Sequence, residues 1–65
     1  MEIGFVGLGH MGQPMVKHLI SSEHIVTVFD INKEVMEVPI AMGAKAAYSP
    51  QDVMEVSELV FTSLP

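Results

Sequence analysis

Sixty-five residues allow one small domain at most, and without cysteine no disulfide or thiolate metal site can staple it. Eight acidic side chains against three lysines and no arginine leave a net charge of −5, which excludes the basic footprint of a nucleic-acid binder. An apolar content of 49% fits a packed core rather than disorder, yet no apolar run approaches the ~18 residues that a membrane-spanning helix needs.

The first residues, Met1-Glu2-Ile3-Gly4, have no positive n-region and no long apolar h-region, so they do not read as a signal peptide. The chain is therefore expected to be soluble, intracellular and cytoplasmic, with no membrane partner. Ile3, Phe5 and Val6 form a short β-branched and aromatic run that predicts a buried parallel strand ending at Gly7. The glycine-rich turn Gly7-Leu8-Gly9-His10-Met11-Gly12 follows. Met11, Met15 and Leu19 then recur every four residues, with Val16 and Ile20 beside them, which predicts a helix with both methionines on its buried face. Pro14 suits the first turn of that helix, where no donor is needed, and Ser21-Ser22-Glu23 ends it.

Ile25, Val26, Val28 and Phe29 predict a second strand closing at Asp30. Asn32 is placed to cap a second helix running toward Gly43, a suitable C′ residue, and Pro39 should kink that helix or split it. A short third strand is expected from Lys45 to Tyr48. Ser49-Pro50-Gln51-Asp52 reads as a helix start, with Ser49 as cap, Pro50 at N1 and an acid at N3 as in a capping box. The third helix should cover about residues 50–56, and Leu59, Val60 and Phe61 predict a fourth strand ending at Leu64-Pro65. Strict alternation of strands and helices implies parallel strands joined by right-handed crossovers. The fold class is therefore α/β, a partial Rossmann-type doubly wound sheet (β-α-β-α-β-α-β) with strand order 3-2-1-4. Residues 1–65 would be the first part of a larger dinucleotide-binding domain.

Gly7, Gly9 and Gly12 give G-x-G-x-x-G between a predicted strand and a predicted helix. Gly7 permits the tight turn, Gly9 lets a pyrophosphate approach the backbone, and Gly12 lets the helix pack close to the strand. The helix N-terminus then offers free N–H groups and a positive dipole end to the phosphates. Three glycines alone could mark a turn without a ligand. Their place in a strand–turn–helix unit is more specific, as is Asp30, which stands 18 residues beyond Gly12 at the end of the next strand. Asp30 would accept hydrogen bonds from the adenosine ribose. It would also repel a 2′-phosphate, since two unit charges at ~4 Å and an effective dielectric of ~20 cost about 4 kcal/mol. The expected cofactor is NAD, with NADP disfavoured because no arginine is present to hold its phosphate.

The segment Phe5-Val6-Gly7-Leu8-Gly9-His10-Met11-Gly12-Gln13-Pro14-Met15 resembles the N-terminal signature of the 3-hydroxyisobutyrate dehydrogenase family. These β-hydroxyacid dehydrogenases include tartronate semialdehyde reductases and are related to 6-phosphogluconate dehydrogenases. Gly43-Ala44, Ser49-Pro50 and Leu64-Pro65 fall in the family's order. The resemblance implies a nicotinamide-dinucleotide-binding domain followed by a helical domain that supports homo-oligomers. It also implies hydride transfer between a small β-hydroxy acid and NAD. By the family pattern the cofactor touches Gly7, Leu8, Gly9, His10, Met11 and Gly12, then Asp30, Ile31 and Asn32, then Leu64 and Pro65. The family's catalytic lysine and carboxylate-binding glycines lie beyond Pro65. Lys17, Lys33 and Lys45 match neither, so no catalytic residue and no metal ligand is assigned. Asp30 stands where NADP-preferring relatives have an Asn-Arg pattern, which again implies NAD.

Three positions depart from the family. Val16 replaces a smaller residue and is expected to loosen helix–strand packing. Glu23 replaces a common glycine and should strain its turn. Pro39 interrupts a helix that is usually continuous. The other function class to weigh is a non-catalytic dinucleotide-binding module, because fold alone does not imply chemistry. An FAD- or S-adenosylmethionine-binding unit is disfavoured by the Leu8-to-Met15 context. The three histidines lack a close ligand spacing and read as surface or capping residues.

Overall fold

The computed structural model describes residues 1–62, and their side chains except those of residues 9–13. Four parallel strands form one sheet: β1 (Glu2–Val6), β2 (Ile25–Phe29), β3 (Lys45–Ala46) and β4 (Leu59–Thr62). Their order is β3-β2-β1-β4, as the alternation of elements and the glycine motif imply. In register, Ile3 faces Val26 and Leu59, and Phe5 faces Val28 and Phe61. These residues share one face of the sheet because side chains alternate along a strand. Helix α1 (Gly9–Ser21) and helix α2 (Glu37–Ala41) lie in the crossovers from β1 to β2 and from β2 to β3.

The core contains Ile3, Phe5, Leu8, Val16, Val26, Val28, Met36 and Ala44, with Leu19 and Ile20 packed against it. Phe5 and Phe61 stack with centroids 5.3 Å apart. Helix α3 (Pro50–Val56) returns the chain from β3 to β4. It meets the opposite sheet face beside Gly4, where a Cβ would fall on Val53 Cγ1 and Ser57 Oγ. A glycine inside a strand is thus the condition for this close helix–sheet contact.

Several details differ from the sequence-based expectation. Met15 is 41% exposed, while Val16 is fully buried. Each residue advances a helix by ~100°, so the inward face set by Val16, Leu19 and Ile20 leaves Met15 on the flank. The side chain of Met11 is outside the described residues. Val16 is part of the core cluster with Ile3, Phe5, Val26 and Val28. The second helix is split: a 3₁₀ turn over Lys33–Met36 precedes α2. Pro39 falls in the first turn of α2, where no N–H is needed, and α2 starts at Glu37; Pro14, expected in the first turn of its helix, instead lies inside α1, which starts at Gly9. Ser49 Oγ accepts from Asp52 N at 3.1 Å as a cap should, but Asp52 Oδ2 accepts from Tyr48 N, at 3.4 Å, instead of from Ser49 N. Strand β3 stops at Ala46, two residues early.

Glu23 has φ +67, a left-handed conformation that accounts for the strain expected where it replaces a common glycine. It closes α1 in a Schellman motif, with Glu23 N donating to Ile20 O (3.0 Å) and His24 N to Leu19 O (3.1 Å). Gly43, at φ +114, closes α2 in the same way: Gly43 N donates to Ile40 O and Ala44 N to Pro39 O, each at 3.0 Å.

Candidate dinucleotide-binding site

The C-terminal ends of β1 and β2 carry the site. Beyond Val6 the chain turns at Gly7, whose φ of +83 is one that side-chain-bearing residues rarely adopt. Gly7 N donates to Phe29 O at 2.8 Å, which prolongs the β1–β2 ladder by one rung. The next donor, Leu8 N, has no backbone acceptor beside it; Asp30 Oδ2 accepts its hydrogen bond at 2.8 Å. The other oxygen, Asp30 Oδ1, accepts from Asn32 N at 2.9 Å. Asn32 Oδ1 in turn accepts from Glu34 N at 3.0 Å, capping the 3₁₀ turn as its sequence position suggests. One half-buried carboxylate therefore ties the glycine turn to the segment after β2.

Helix α1 begins at Gly9, directly after this knot. The N–H groups of its first turn have no partner within the helix and lie at the positive end of its dipole. Leu8, by contrast, is fully buried and its N–H is committed to Asp30, so its contribution is to anchor the loop. Ile31 is 92% exposed and Asn32 is exposed beside it. The structure thus brings Gly7, Leu8, Asp30, Ile31 and Asn32 together around the start of α1. The side chains of His10 and Met11 are outside the described residues, as are Leu64 and Pro65 altogether.

A groove of about 450 Å³ opens next to Asp30, lined by Phe29, Asp30, Lys33, Met36, Ile40 and Tyr48 among others. Sequence reasoning did not pick out this groove. Lys33, which matches none of the family's catalytic or substrate-binding positions, lines the same groove as Asp30. The signal available was its spacing, three residues past the acid that ends a strand. Tyr48, 86% exposed two residues beyond β3, is the other residue that a topological reading could place here.

Comparison with known proteins adds to this geometry. Residues 2–65 match the family model described as the NAD binding domain of 6-phosphogluconate dehydrogenase. The chain belongs to that family. Among curated relatives of this family member, the probable mitochondrial 3-hydroxyisobutyrate dehydrogenase of Arabidopsis thaliana is 46% identical over 64 residues, covering 98% of this chain and 18% of the relative. The NAD-dependent L-serine dehydrogenase of Pseudomonas aeruginosa is 38% identical over 98% of this chain and 22% of its own length. Among solved structures, the 3-hydroxyisobutyrate dehydrogenase of Mycobacterium tuberculosis with L-serine superposes with a TM-score of 0.92. Its identity is 33%, over 98% of this chain and 22% of that one. An imine reductase from Streptomyces aurantiacus gives the same TM-score at 31% identity, over 98% of this chain and 23% of that one. The chain therefore spans about a fifth of the length of these relatives. The resemblance to β-hydroxyacid dehydrogenases carried by the Phe5-to-Met15 segment extends over nearly the whole chain.

Proposed function

We propose that this chain holds NAD for an oxidoreductase that passes hydride between the nicotinamide and a small β-hydroxy acid of the 3-hydroxyisobutyrate or tartronate semialdehyde/glycerate type. The observation that carries the reading is the knot of Gly7, Leu8 and Asp30 at the start of α1. The residues fit a dinucleotide. A glycine turn leads into a helix N-terminus suited to a pyrophosphate, and Gly9 presents no side chain there. A carboxylate has about four lone-pair sites, and two backbone donors occupy only two of those on Asp30. The remaining two suit the 2′- and 3′-hydroxyls of the adenosine ribose. When bound, the nicotinamide supplies the hydride chemistry, and this chain's own residues hold and orient the other half of the cofactor.

In this reading Gly7, Leu8, Gly9, His10, Met11, Gly12, Asp30, Ile31 and Asn32 surround the cofactor, Leu8 through its backbone. Leu64 and Pro65, outside the described residues, belong to the same proposed set. The chain is the first part of a Rossmann domain, a helical domain follows it, and the assembled enzyme is a homo-oligomer. Among the described residues no helix is long and apolar enough to cross a membrane. A cytoplasmic location belongs to the same proposal, although some relatives are named as mitochondrial.

Titration with NADH and NADPH, followed by nicotinamide fluorescence, tests the cofactor assignment. NADH should bind, NADPH should bind more weakly, and Asp30→Ala should narrow the gap by removing the repelling charge. Equal affinity for both nucleotides in the wild type would contradict NAD as the partner, and binding of neither by the folded protein would sink the proposal.

A further inference from the structure

Leu8 N follows the last rung of the ladder, and a side chain, the Asp30 carboxylate, accepts its hydrogen bond. Gly7 N lies on Phe29 O and Leu8 N on Asp30 Oδ2, both at 2.8 Å. These two consecutive bonds leave the turn between β1 and α1 little freedom to rotate. The buried Leu8 side chain adds a third anchor. The first free N–H groups of α1 follow immediately, so their direction depends on how Leu8 is held.

Building on the NAD-binding reading above, we infer that Asp30 is also a positioning residue for the pyrophosphate: it aims the first-turn N–H groups of α1 by holding Leu8 N. Asp30 then governs affinity for a part of the cofactor that it does not touch. The two roles use different lone pairs of the same carboxylate and can be separated with a modified ligand. An NAD analogue lacking both hydroxyls of the adenosine ribose offers nothing for Asp30 to recognise directly.

The test measures NAD and this dideoxy analogue by calorimetric titration. The whole protein is compared with its Asp30→Ala and Asp30→Asn variants, each below its own unfolding temperature. A carboxylate that only reads the ribose is silent toward the analogue. Wild-type-like affinity of Asp30→Ala for it would therefore overturn the inference while leaving NAD binding intact. A positioning carboxylate still matters: Asp30→Ala should lose roughly 10- to 100-fold toward the analogue, the worth of one hydrogen bond to a charged group. Asp30→Asn keeps one of the two acceptors and should lose less; it carries the test if the alanine variant does not fold. Without any ligand, hydrogen exchange at the Leu8 amide should be faster in either variant, and unchanged exchange would also count against the inference. Failure of the wild type to bind NAD would overturn the proposed function and this inference together.

Discussion

Gly4 illustrates how a single atom can decide a layer contact. It is buried in β1 between Thr27 of β2 and Val60 of β4, and a Cβ there would meet Val53 and Ser57 at the α3 contact. Both obstacles belong to the helix or its end, so the helix would have to move off the sheet. Gly4→Ala should destabilise the protein by at least about 2 kcal/mol, in the range of overpacked cores, read as a fall in the urea midpoint. The sequence contained the signal, because a glycine within a strand pattern marks a close approach. Asp30 was read correctly as the acid that follows β2, yet its bond to Leu8 N could not be anticipated. That bond depends on where the glycine turn comes to lie beside the end of β2, and a linear spacing does not describe this.

Helix ends were read more fully than helix faces. Pro50, Ser49, Asn32, Gly43 and Pro39 each have one backbone position that suits them, and each was found near it. The faces of α1 are harder to read: Met15 and Val16 are adjacent apolar residues, and the ~100° step between them puts one on the flank and one inside. The two Schellman closures allow a comparison within one chain. Gly43 and Glu23 occupy the same position in the same motif, with φ of +114 and +67. Glu23 is exposed, so its side chain makes no core contact that would be lost. Glu23→Gly should stabilise the protein by about 0.5–1 kcal/mol, the left-handed strain being partly offset by greater freedom of the unfolded chain. Gly43→Ala should act in the opposite direction for the same backbone reason, since Ile20 Cγ2, 3.8 Å from the added Cβ, leaves room for it. Thermal unfolding of the two variants side by side checks both signs.

For the molecule as a whole, the alternation of elements implies four parallel strands, and the glycine motif added to it implies the 3-2-1-4 order. Which surfaces remain open could not be read from pattern. Leu59 (44% exposed) and Phe61 (37%) stand on the same sheet face as the core residues Ile3 and Phe5, but on β4, the outermost strand of the described sheet. No lysine or proline interrupts Leu59-Val60-Phe61-Thr62, the usual protection of an exposed edge. The 65-residue chain on its own should therefore self-associate as its concentration rises. Leu59→Lys should shift that association to higher concentration. Sedimentation velocity over a dilution series is the measurement, and an unchanged monomer at all concentrations would contradict the expectation.

The rung from Leu8 to Asp30 also bears on how quickly a ligand is captured. Because the carboxylate already holds the turn, an arriving nucleotide meets a receptor whose shape is formed, with no slow refolding of the loop between encounter and complex. Stopped-flow mixing with NADH should give a single phase whose rate rises linearly with nucleotide concentration. In Asp30→Ala, where the turn must be ordered by the ligand itself, the observed rate should instead level off at high concentration.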